Sequence, residues 1–319
     1  MGERKKLLIF ILFISVVAVV SILIGYKVKE EVNMFIKKEP IPLLGSVSKD
    51  DVMKVHFLDI GQGDATLIDF PNGEQMMIDC AKDSGVLEAL GRVMPFYDRT
   101  IEYMIITNPD RDHYAGCIDV LRRFDVKHIM YSGFEKKDTM WKSFLTVGGE
   151  EKKTGAEMTI VTSTKMWSVG EVQVEFLYPD HDIALDPSVP SSTEKFSVNN
   201  TSIVTKISYG SQDIIFPGDA EATEERYLVQ KYGNTLDVEV VKLAHHCSQS
   251  SSITEFLAAT TPAEVVCSSG AGNSYGHPHQ RVLRRAERIG AHIWRTDLNG
   301  DILMTITKDA IESLPVRSQ

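Results

Sequence analysis

The sequence predicts an α+β domain in which two β-sheets stack face to face between outer helices, an αββα sandwich, preceded by one N-terminal transmembrane helix. Short strand patterns joined by tight turns open each half of the chain. Alternating helix and strand patterns follow them, as in a sheet whose outer face is covered by helices. Ahead of both halves, residues 7–25 form an unbroken run of nineteen uncharged residues. At about 1.5 Å per helical residue this run is long enough to cross a bilayer.

The apolar run at 7–25 predicts a membrane anchor. Arg4, Lys5 and Lys6 precede it, so the positive-inside rule assigns residues 1–6 to the cytoplasm and the rest of the chain to the other side. A cleaved signal peptide is the alternative. It is disfavoured because the run exceeds the usual signal length and no small-x-small cleavage pattern follows it. We therefore expect a single-pass membrane protein with its folded domain outside the cytoplasm.

The first half of the folded domain is predicted to begin with strands and to continue with alternating helices and strands. Residues 26–50 are charged and contain Pro40 and Pro42, which indicates a linker. The folded domain is expected at 51–310, with a C-terminal tail at 311–319. Its first half is predicted to contain strands at 52–60, 65–70, 74–80, 101–107 and 127–132, and helices after Ser84 and at 113–124.

The second half repeats this order after two polar insertions. The insertions are a surface helix around Trp141 and a loop at 180–200. Strands are predicted at 202–210, 212–219, 238–246, 263–270, 291–296 and 300–306, and helices at 221–233, 252–260 and 279–290.

Charge and cysteine content narrow the function classes. The chain has a net charge of −10, and residues 1–29 carry five basic residues and one acidic residue, so the remainder carries −14. This disfavours a broad nonspecific phosphate-binding surface but leaves a local basic groove open. The four cysteines contain no CxxC pair, which excludes a zinc ribbon. A disulfide such as Cys80–Cys117 is possible, but each cysteine adjoins an apolar run and is expected to pack as a small buried residue.

Potential metal ligands follow three predicted strands. Asp110, Asp112 and His113 follow the strand at 101–107, Asp219 follows 212–217, and the His245–His246 pair ends 238–246. Carboxylates this close repel one another unless a cation is present. Asp112 as a simple helix cap is the alternative. Because neighbouring residues on a strand face opposite ways, only one histidine of the pair is expected to face a site.

Five segments together resemble the metallo-β-lactamase domain at the C-terminus of ComEC, the DNA-uptake competence protein. The resemblance covers residues 52 to about 307 in order, and the segments are 56–80, 105–116, 199–225, 240–251 and 268–302. It implies the metallo-β-lactamase type of sandwich and a metal-dependent hydrolase.

The resemblance also implies roles by position. It implies metal ligands at Asp110, Asp112, His113, Asp219 and one histidine of the pair, for which we favour His245. It implies supporting residues at Asp59, Gln62, Asp64, Asp79, Asn108 and His246, and a substrate-facing His277. Asp112, Asp219 and His277 are the expected catalytic residues.

Three positions depart from the family pattern. Asn108 stands where the family has histidine, so the first of two metal positions loses an imidazole; Cys247 and Ala115 replace glycines. The oxygen-rich ligand set favours manganese, with zinc as the other candidate.

Three functions remain open from the sequence. In the first, a metal-activated water attacks a phosphodiester such as single-stranded DNA. In the second, Asn108 marks a degenerate module that binds a ligand without turnover. In the third, the substrate is a small envelope ester. The arginines of the 281–288 helix are expected to form a solvated face rather than a nucleic-acid track.

Overall fold

The computed structural model describes residues 51–316, and the predicted anchor at 7–25 and the predicted linker at 26–50 lie outside them. Within this part of the chain, no helix is long and apolar enough to cross a bilayer.

The first sheet contains the strands of the first half together with the last two strands of the chain. These are β1 (Met53–Phe57), β2 (Ala65–Asp69), β3 (Gln75–Cys80), β4 (Thr100–Ile106), β5 (Asp125–Tyr131), β6 (Glu157–Ile160), β14 (Asp301–Ile306) and β15 (Ile311–Val316). Their order across the sheet is β15-β14-β1-β2-β3-β4-β5-β6. The strands from β3 to β6 run parallel, so their carboxyl ends lie at one edge.

The second sheet contains the strands of the second half. These are β7 (Lys165–Val169), β8 (Val172–Tyr178), β9 (Val204–Tyr209), β10 (Gln212–Phe216), β11 (Val240–Lys242), β12 (Glu264–Cys267) and β13 (His292–Arg295). Their order is β13-β12-β11-β10-β9-β8-β7. The strands from β10 to β13 are parallel and short, with the apolar composition of strands that are covered on both faces.

Helices cover the outer face of each sheet. They are α1 (Gly85–Val93), α2 (Arg111–Tyr114), α3 (Cys117–Leu121), α4 (Thr139–Thr154), α5 (Ala222–Tyr232), α6 (Thr254–Thr260), α7 (Gln280–Arg288) and α8 (Thr296–Asn299), with 3-10 turns at Val198–Thr201, Gly233–Leu236 and His245–Cys247. Helix α7 buries Val282 and Ala286, while Arg281, Arg284 and Arg288 are exposed. The arginine-rich segment therefore forms a solvated face, as expected.

Three apolar clusters hold the layers together. One lies between the sheets and contains Phe57, Ile105 and Phe216. A second packs α1 to α4 on the first sheet, and a third packs α5 to α7 on the second. The predicted α+β sandwich of two sheets is confirmed.

Several elements differ from the sequence predictions. Residues 311–316, predicted as tail, form edge strand β15, where Pro315 is tolerated because one side of an edge strand needs no backbone donor. The surface helix around Trp141 instead buries that side chain against Tyr114 and Phe144. The predicted helix at 113–124 is divided at Gly116, where a Cβ would lie 2.0 Å from the Cys80 carbonyl oxygen.

Candidate metal centre

Loops from both sheets meet at the edge where the parallel strands end. The first sheet supplies Asp79 at the end of β3 and the segment 107–113 after β4; the second supplies Asp219 after β10 and His246 after β11. The β1–β2 loop is drawn against segment 107–113 because the Asp64 amide donates to the Asp112 carbonyl. Gly63 permits this approach, since its φ is +130° and a Cβ there would lie 2.6 Å from the same carbonyl.

His113 is fully buried and is held by its neighbours in one orientation. Its Nδ1 lies 2.8 Å from Asp79 Oδ2. Asp79 also accepts hydrogen bonds from the amide and hydroxyl of Thr107, at 2.7 and 2.6 Å. With Nδ1–H donating to Asp79, the lone pair of Nε2 is directed to the other side of the ring, where Asp219 Oδ2 lies 3.1 Å away.

His246 has the same arrangement on the opposite side of Asp219. Its Nδ1 lies 3.1 Å from Asp64 Oδ1, and Lys242 binds the other oxygen of Asp64 at 2.5 Å. Its Nε2 faces Asp112 Oδ2 at 3.2 Å and Asp219 Oδ1 at 3.6 Å. Both imidazoles therefore present Nε2 to Asp219, and His246 Nε2 also faces Asp112.

Several buried atoms at this point have no hydrogen-bond partner among residues 51–316. They are His113 Nε2, His246 Nε2 and Asp219 Oδ1. Buried polar atoms without partners are rare in folded proteins and call for an explanation. Lone pairs directed at a common point are the arrangement that a cation requires.

The electrostatics of the cluster also call for positive charge. Burial opposes the charged form of each group, but Asp219 and Asp79 outweigh it and raise the pKa of His113 well above its usual value. Asp64 and Asp219 likewise raise the pKa of His246 to about 10. The two imidazoles in turn hold the pKa of Asp219 far below its usual range, again against burial. A divalent cation would supply this positive charge in place of the two imidazole protons.

Four buried residues form a group whose donor atoms all lie within 4.8 Å of one another: Asp64, His113, Asp219 and His246. Asp64 contacts His246 Nδ1, the ring nitrogen that faces away from Asp219, and it also contacts the ammonium of Lys242. Asp64 is therefore better placed to orient His246 than to bind the ion. Asp112, whose side chain is 29% exposed, lies beside His246 Nε2 and is the further candidate ligand.

The structure brings some predicted ligands together and leaves others apart. Asp112, His113 and Asp219 converge. His245, which we favoured from the sequence, lies with Nε2 3.9 Å from Asp219 and Nδ1 3.6 Å from Glu221, whereas His246 has the closer contacts. The reason is local backbone geometry, because residues 245–247 form a turn with φ between 50° and 66° instead of continuing the predicted strand.

Asn108 and Asp110 are engaged elsewhere. The Asn108 amide nitrogen donates to Ser202 Oγ at 3.0 Å, and its oxygen accepts from the Asp110 backbone amide at 2.9 Å. Asp110 forms an ion pair with Lys136, which lies on the loop between β5 and α4. The polar groups of Asn108 therefore stabilise the loop, and Asp110 already has a cation.

The remaining predicted residues lie around the centre. The Asp59 carboxylate accepts from Gly61, and its amide donates to Asp301, so Asp59 shapes the β1–β2 loop. Gln62 Nε2 lies 3.5 Å from His277 Nδ1. The His277 ring lies 5.9 Å from that of His245 and stacks on exposed Tyr275. Burial and the charges of His246 and His245 lower the pKa of His277 to about 4.

Two lysines of the site were missed from the sequence. Lys242 lies in the apolar segment VVKLA, and a lysine in a buried strand is a signal that a carboxylate partner lies nearby. Lys136 follows Glu135 in an ordinary charged stretch, so the sequence carried no comparable signal for it.

The expectation that the cysteines are free is wrong. Two disulfides are present, Cys80–Cys117 and Cys247–Cys267, and all four residues are buried. The partners have Cα atoms 5.0 and 5.9 Å apart, within the range that a disulfide spans. Each bond adjoins the centre, because Cys80 follows Asp79 and Cys247 follows His246.

Comparisons with known proteins identify the family. Residues 58–270 match the family described as the metallo-beta-lactamase superfamily. The chain is 29% identical over 272 residues to ComE operon protein 3 of Bacillus subtilis, covering 78% of this chain and 32% of that protein. It is 26% identical over 263 residues to competence protein ComA of Neisseria gonorrhoeae, covering 81% and 33%. The chain thus spans about a third of the length of these curated relatives.

Among solved structures, the chain is similar to a metal-dependent hydrolase of the beta-lactamase superfamily. The TM-score is 0.49 at 14% identity, and the match covers 76% of this chain and 95% of that one.

Proposed function

The chain belongs to the metallo-β-lactamase superfamily, and we propose that it is a metal-dependent hydrolase of a phosphodiester, with single-stranded DNA as the first substrate to test. The observation that carries the proposal is the convergence of His113 and His246 Nε2 on Asp219, with Asp112 beside His246. The substrate class is supported by the sequence resemblance to the DNA-uptake domain and by the competence protein among the relatives.

The donor set suits a divalent ion. Two carboxylates and two imidazoles are ligands that manganese and zinc both accept, and Asp79 and Asp64 hold the imidazoles in the required orientation. An ion bound there would act as a Lewis acid and lower the pKa of a water molecule.

The chain's own residues divide the remaining tasks. Asp112 is the more exposed of the two carboxylates in the donor set, so it can orient the attacking water towards substrate. Asp219 is buried and contacts both imidazoles. His277, beside exposed Tyr275, is available to contact the substrate.

The test uses the full-length protein in detergent. Metal content is measured after dialysis, and hydrolysis of end-labelled single-stranded DNA and of a chromogenic phosphodiester is assayed with manganese and with zinc. Asp219→Ala is expected to lose bound metal and to reduce the rate by more than about 100-fold, because a direct ligand matters more than an orienting group. Asp309→Ala, on the exposed β14–β15 turn, is the control. Equal activity in Asp219→Ala and Asp309→Ala would refute the proposal.

A second candidate is a binding module without turnover. It is supported by Asn108, whose amide group is bonded to Ser202 Oγ and to the Asp110 backbone amide. This candidate expects metal or ligand binding with no product in either assay, and it gains support if Asn108→His acquires activity that the natural chain lacks.

A third candidate keeps the hydrolase and changes the substrate to a small envelope ester. The net charge of −14 on residues 30–319 favours it, because an acidic surface repels polyanions. Cleavage of the chromogenic substrate without cleavage of DNA would favour this candidate.

We also propose that the folded domain lies outside the cytoplasm, anchored by residues 7–25. The two disulfides support this location, because disulfides persist in oxidising compartments and are rare in the cytosol.

A further inference from the structure

The centre contains more carboxylates than one divalent ion would neutralise. Asp79 is already bonded to His113 and to Thr107. Four more lie in or beside the centre, three in contact with an imidazole and one in segment 107–113: Asp64, Asp112, Asp219 and Asp110. Buried or half-buried carboxylates at such spacing need compensating charge. The distribution of nearby cations therefore decides how many metal ions the centre requires.

Two of the four carboxylates already have a lysine. Lys242 Nζ lies 2.5 Å from Asp64 Oδ2, and both side chains are buried. Lys136 is paired with Asp110, and each of those side chains is 32% exposed. Asp112 and Asp219 remain, and a single divalent ion balances two carboxylates.

Lys136 is close enough to the centre to act in it. Its partner Asp110 belongs to segment 107–113, and the Asp110 carbonyl accepts a hydrogen bond from the His113 amide at 3.0 Å. The Asp110–Lys136 pair therefore adjoins the proposed metal site. A second metal ion on this side would have to displace the ammonium from Asp110.

The neighbouring side chain offers no ligand for a second ion. The Asn108 amide nitrogen is directed to Ser202 Oγ, and its oxygen accepts from Asp110. An amide is also a weaker ligand than an imidazole. Asn108 therefore removes a donor for a second metal ion, and Lys136 already supplies a positive charge at Asp110. Both observations disfavour a second metal ion.

We propose that the centre binds one divalent ion and that Lys136 serves as its second cation, fixed on Asp110 and available to an anionic oxygen of the substrate, such as a phosphoryl oxygen. The proposal rests on the proposed function and deepens it. An ammonium is a compact point charge that binds phosphate oxygens well, and a side chain that is one third exposed can reach an incoming group.

Metal stoichiometry tests the first part. Full-length protein in detergent is titrated with manganese, and the free ion is followed by electron paramagnetic resonance. The natural chain is expected to bind one ion. Lys136→Met leaves Asp110 unpaired and is expected to bind a second, weaker equivalent. Lys136→Arg, which keeps the charge, and Lys137→Met, which removes the adjacent exposed lysine, are expected to bind one.

The possible outcomes separate the inference from the proposed function. Two ions in the natural chain would overturn the inference and leave the hydrolase standing. One ion of unchanged affinity in Lys136→Met would also overturn it. No bound metal in the natural chain would overturn both.

Substrate kinetics test the second part. With the ion saturating, Lys136→Met is expected to raise KM for the phosphodiester by about tenfold or more, the size expected from loss of a charge-assisted contact, and Lys136→Arg to restore most of it. A KM in Lys136→Met equal to that of Lys137→Met would overturn the substrate contact.

Discussion

His245 and His246 are neighbours in sequence but have different surroundings. His246 is 2% exposed and lies between Asp64 on one ring nitrogen and Asp112 and Asp219 on the other. The side chain of His245 is 22% exposed and its nearest carboxylate is Glu221. The pair therefore allows a direct comparison of two histidines separated by one peptide bond.

The first prediction compares alanine variants of this pair. His246→Ala is expected to lose manganese affinity by about 100-fold or more, because it removes a ligand nitrogen that Asp64 holds in orientation. His245→Ala is expected to keep affinity within about tenfold. Calorimetric titration of both variants measures this. The reverse order would restore His245 as the ligand favoured by the sequence.

The second prediction concerns Glu224 on α5. The residue is fully buried, and neither carboxyl oxygen has a hydrogen-bond partner within residues 51–316. Burial, together with the charges of Glu225 and Glu221, raises its pKa well above the value of 4.5 expected in the unfolded chain. Above pH 4.5 the unfolded chain releases this proton and the folded one retains it, so Glu224 lowers stability as pH rises towards its folded pKa, by about 1.4 kcal/mol per pH unit.

Glu224→Gln removes this titration. Its Tm is expected to fall less than that of the natural chain between pH 5 and pH 8, by about 2 to 4 °C for each kcal/mol recovered. Glu255→Gln, at an exposed position of α6, should follow the natural chain. If the Tm of Glu224→Gln and that of the natural chain changed equally with pH, the result would contradict a neutral buried carboxyl group at Glu224.

Sequence reasoning selected several residues of the candidate centre because their signal is local. Asp112, His113 and Asp219 directly follow apolar strands, and parallel strands end at a common edge. The choice between His245 and His246 had no local signal, because it depends on a positive-φ turn in a segment that reads as a strand. The role of Lys136 depends on a loop folding back over 26 residues to Asp110.

At the level of elements, the disulfides connect site loops to the framework. Cys80 at the end of β3 is joined to Cys117, the first residue of α3, and Cys247 in the His245–Cys247 turn is joined to Cys267 at the end of β12. Each bond closes a loop, with sequence separations of 37 and 20 residues. Crosslinks of this length restrict the unfolded chain.

The third prediction is that the Cys247→Ser, Cys267→Ser double variant is destabilised by about 3 kcal/mol in chemical unfolding. It is also expected to bind manganese more weakly, because the turn carrying His246 loses its covalent attachment. Cys80→Ser, Cys117→Ser is the matched pair and should show a similar loss of stability. Unchanged unfolding midpoints in both variants would indicate that neither bond forms.

Most elements could be predicted because their patterns are strong, and the exceptions have physical causes. The first five strands were recognised from apolar runs between turn residues. Strands β6, β7 and β8 were not predicted, although Val172, Val174 and Phe176 alternate with polar residues, because charged segments surround them. The burial of Trp141 depends on Tyr114 and Phe144, which no local pattern reveals.

At the scale of the whole molecule, the two sheets bury a shared apolar layer and leave the candidate centre at one edge. The apolar layer between the sheets therefore stabilises the fold, whereas the loops at the edge carry the candidate centre. Changes in the loops at that edge should therefore alter activity more than folding.

The fourth prediction concerns location. When cells are lysed and fractionated, the full chain is expected in the membrane fraction. When protease is added to intact cells, it should digest residues 51–316. Replacing Arg4, Lys5 and Lys6 by uncharged residues is expected to weaken this orientation. Complete protection from protease in intact cells, with digestion after lysis, would contradict an external domain.

The register between β1 and β14 has a consequence for biosynthesis. β1 pairs with β14 from Met53–Ile306 to Phe57–Ile302, and Asp301 accepts a hydrogen bond from Asp59 and pairs with Arg92. A nascent chain therefore exposes an unpaired β1 edge until nearly the whole domain has emerged, and such edges invite aggregation. Assembly of the first sheet, and of the loop that carries Asp64, therefore depends on strands from both ends of the domain.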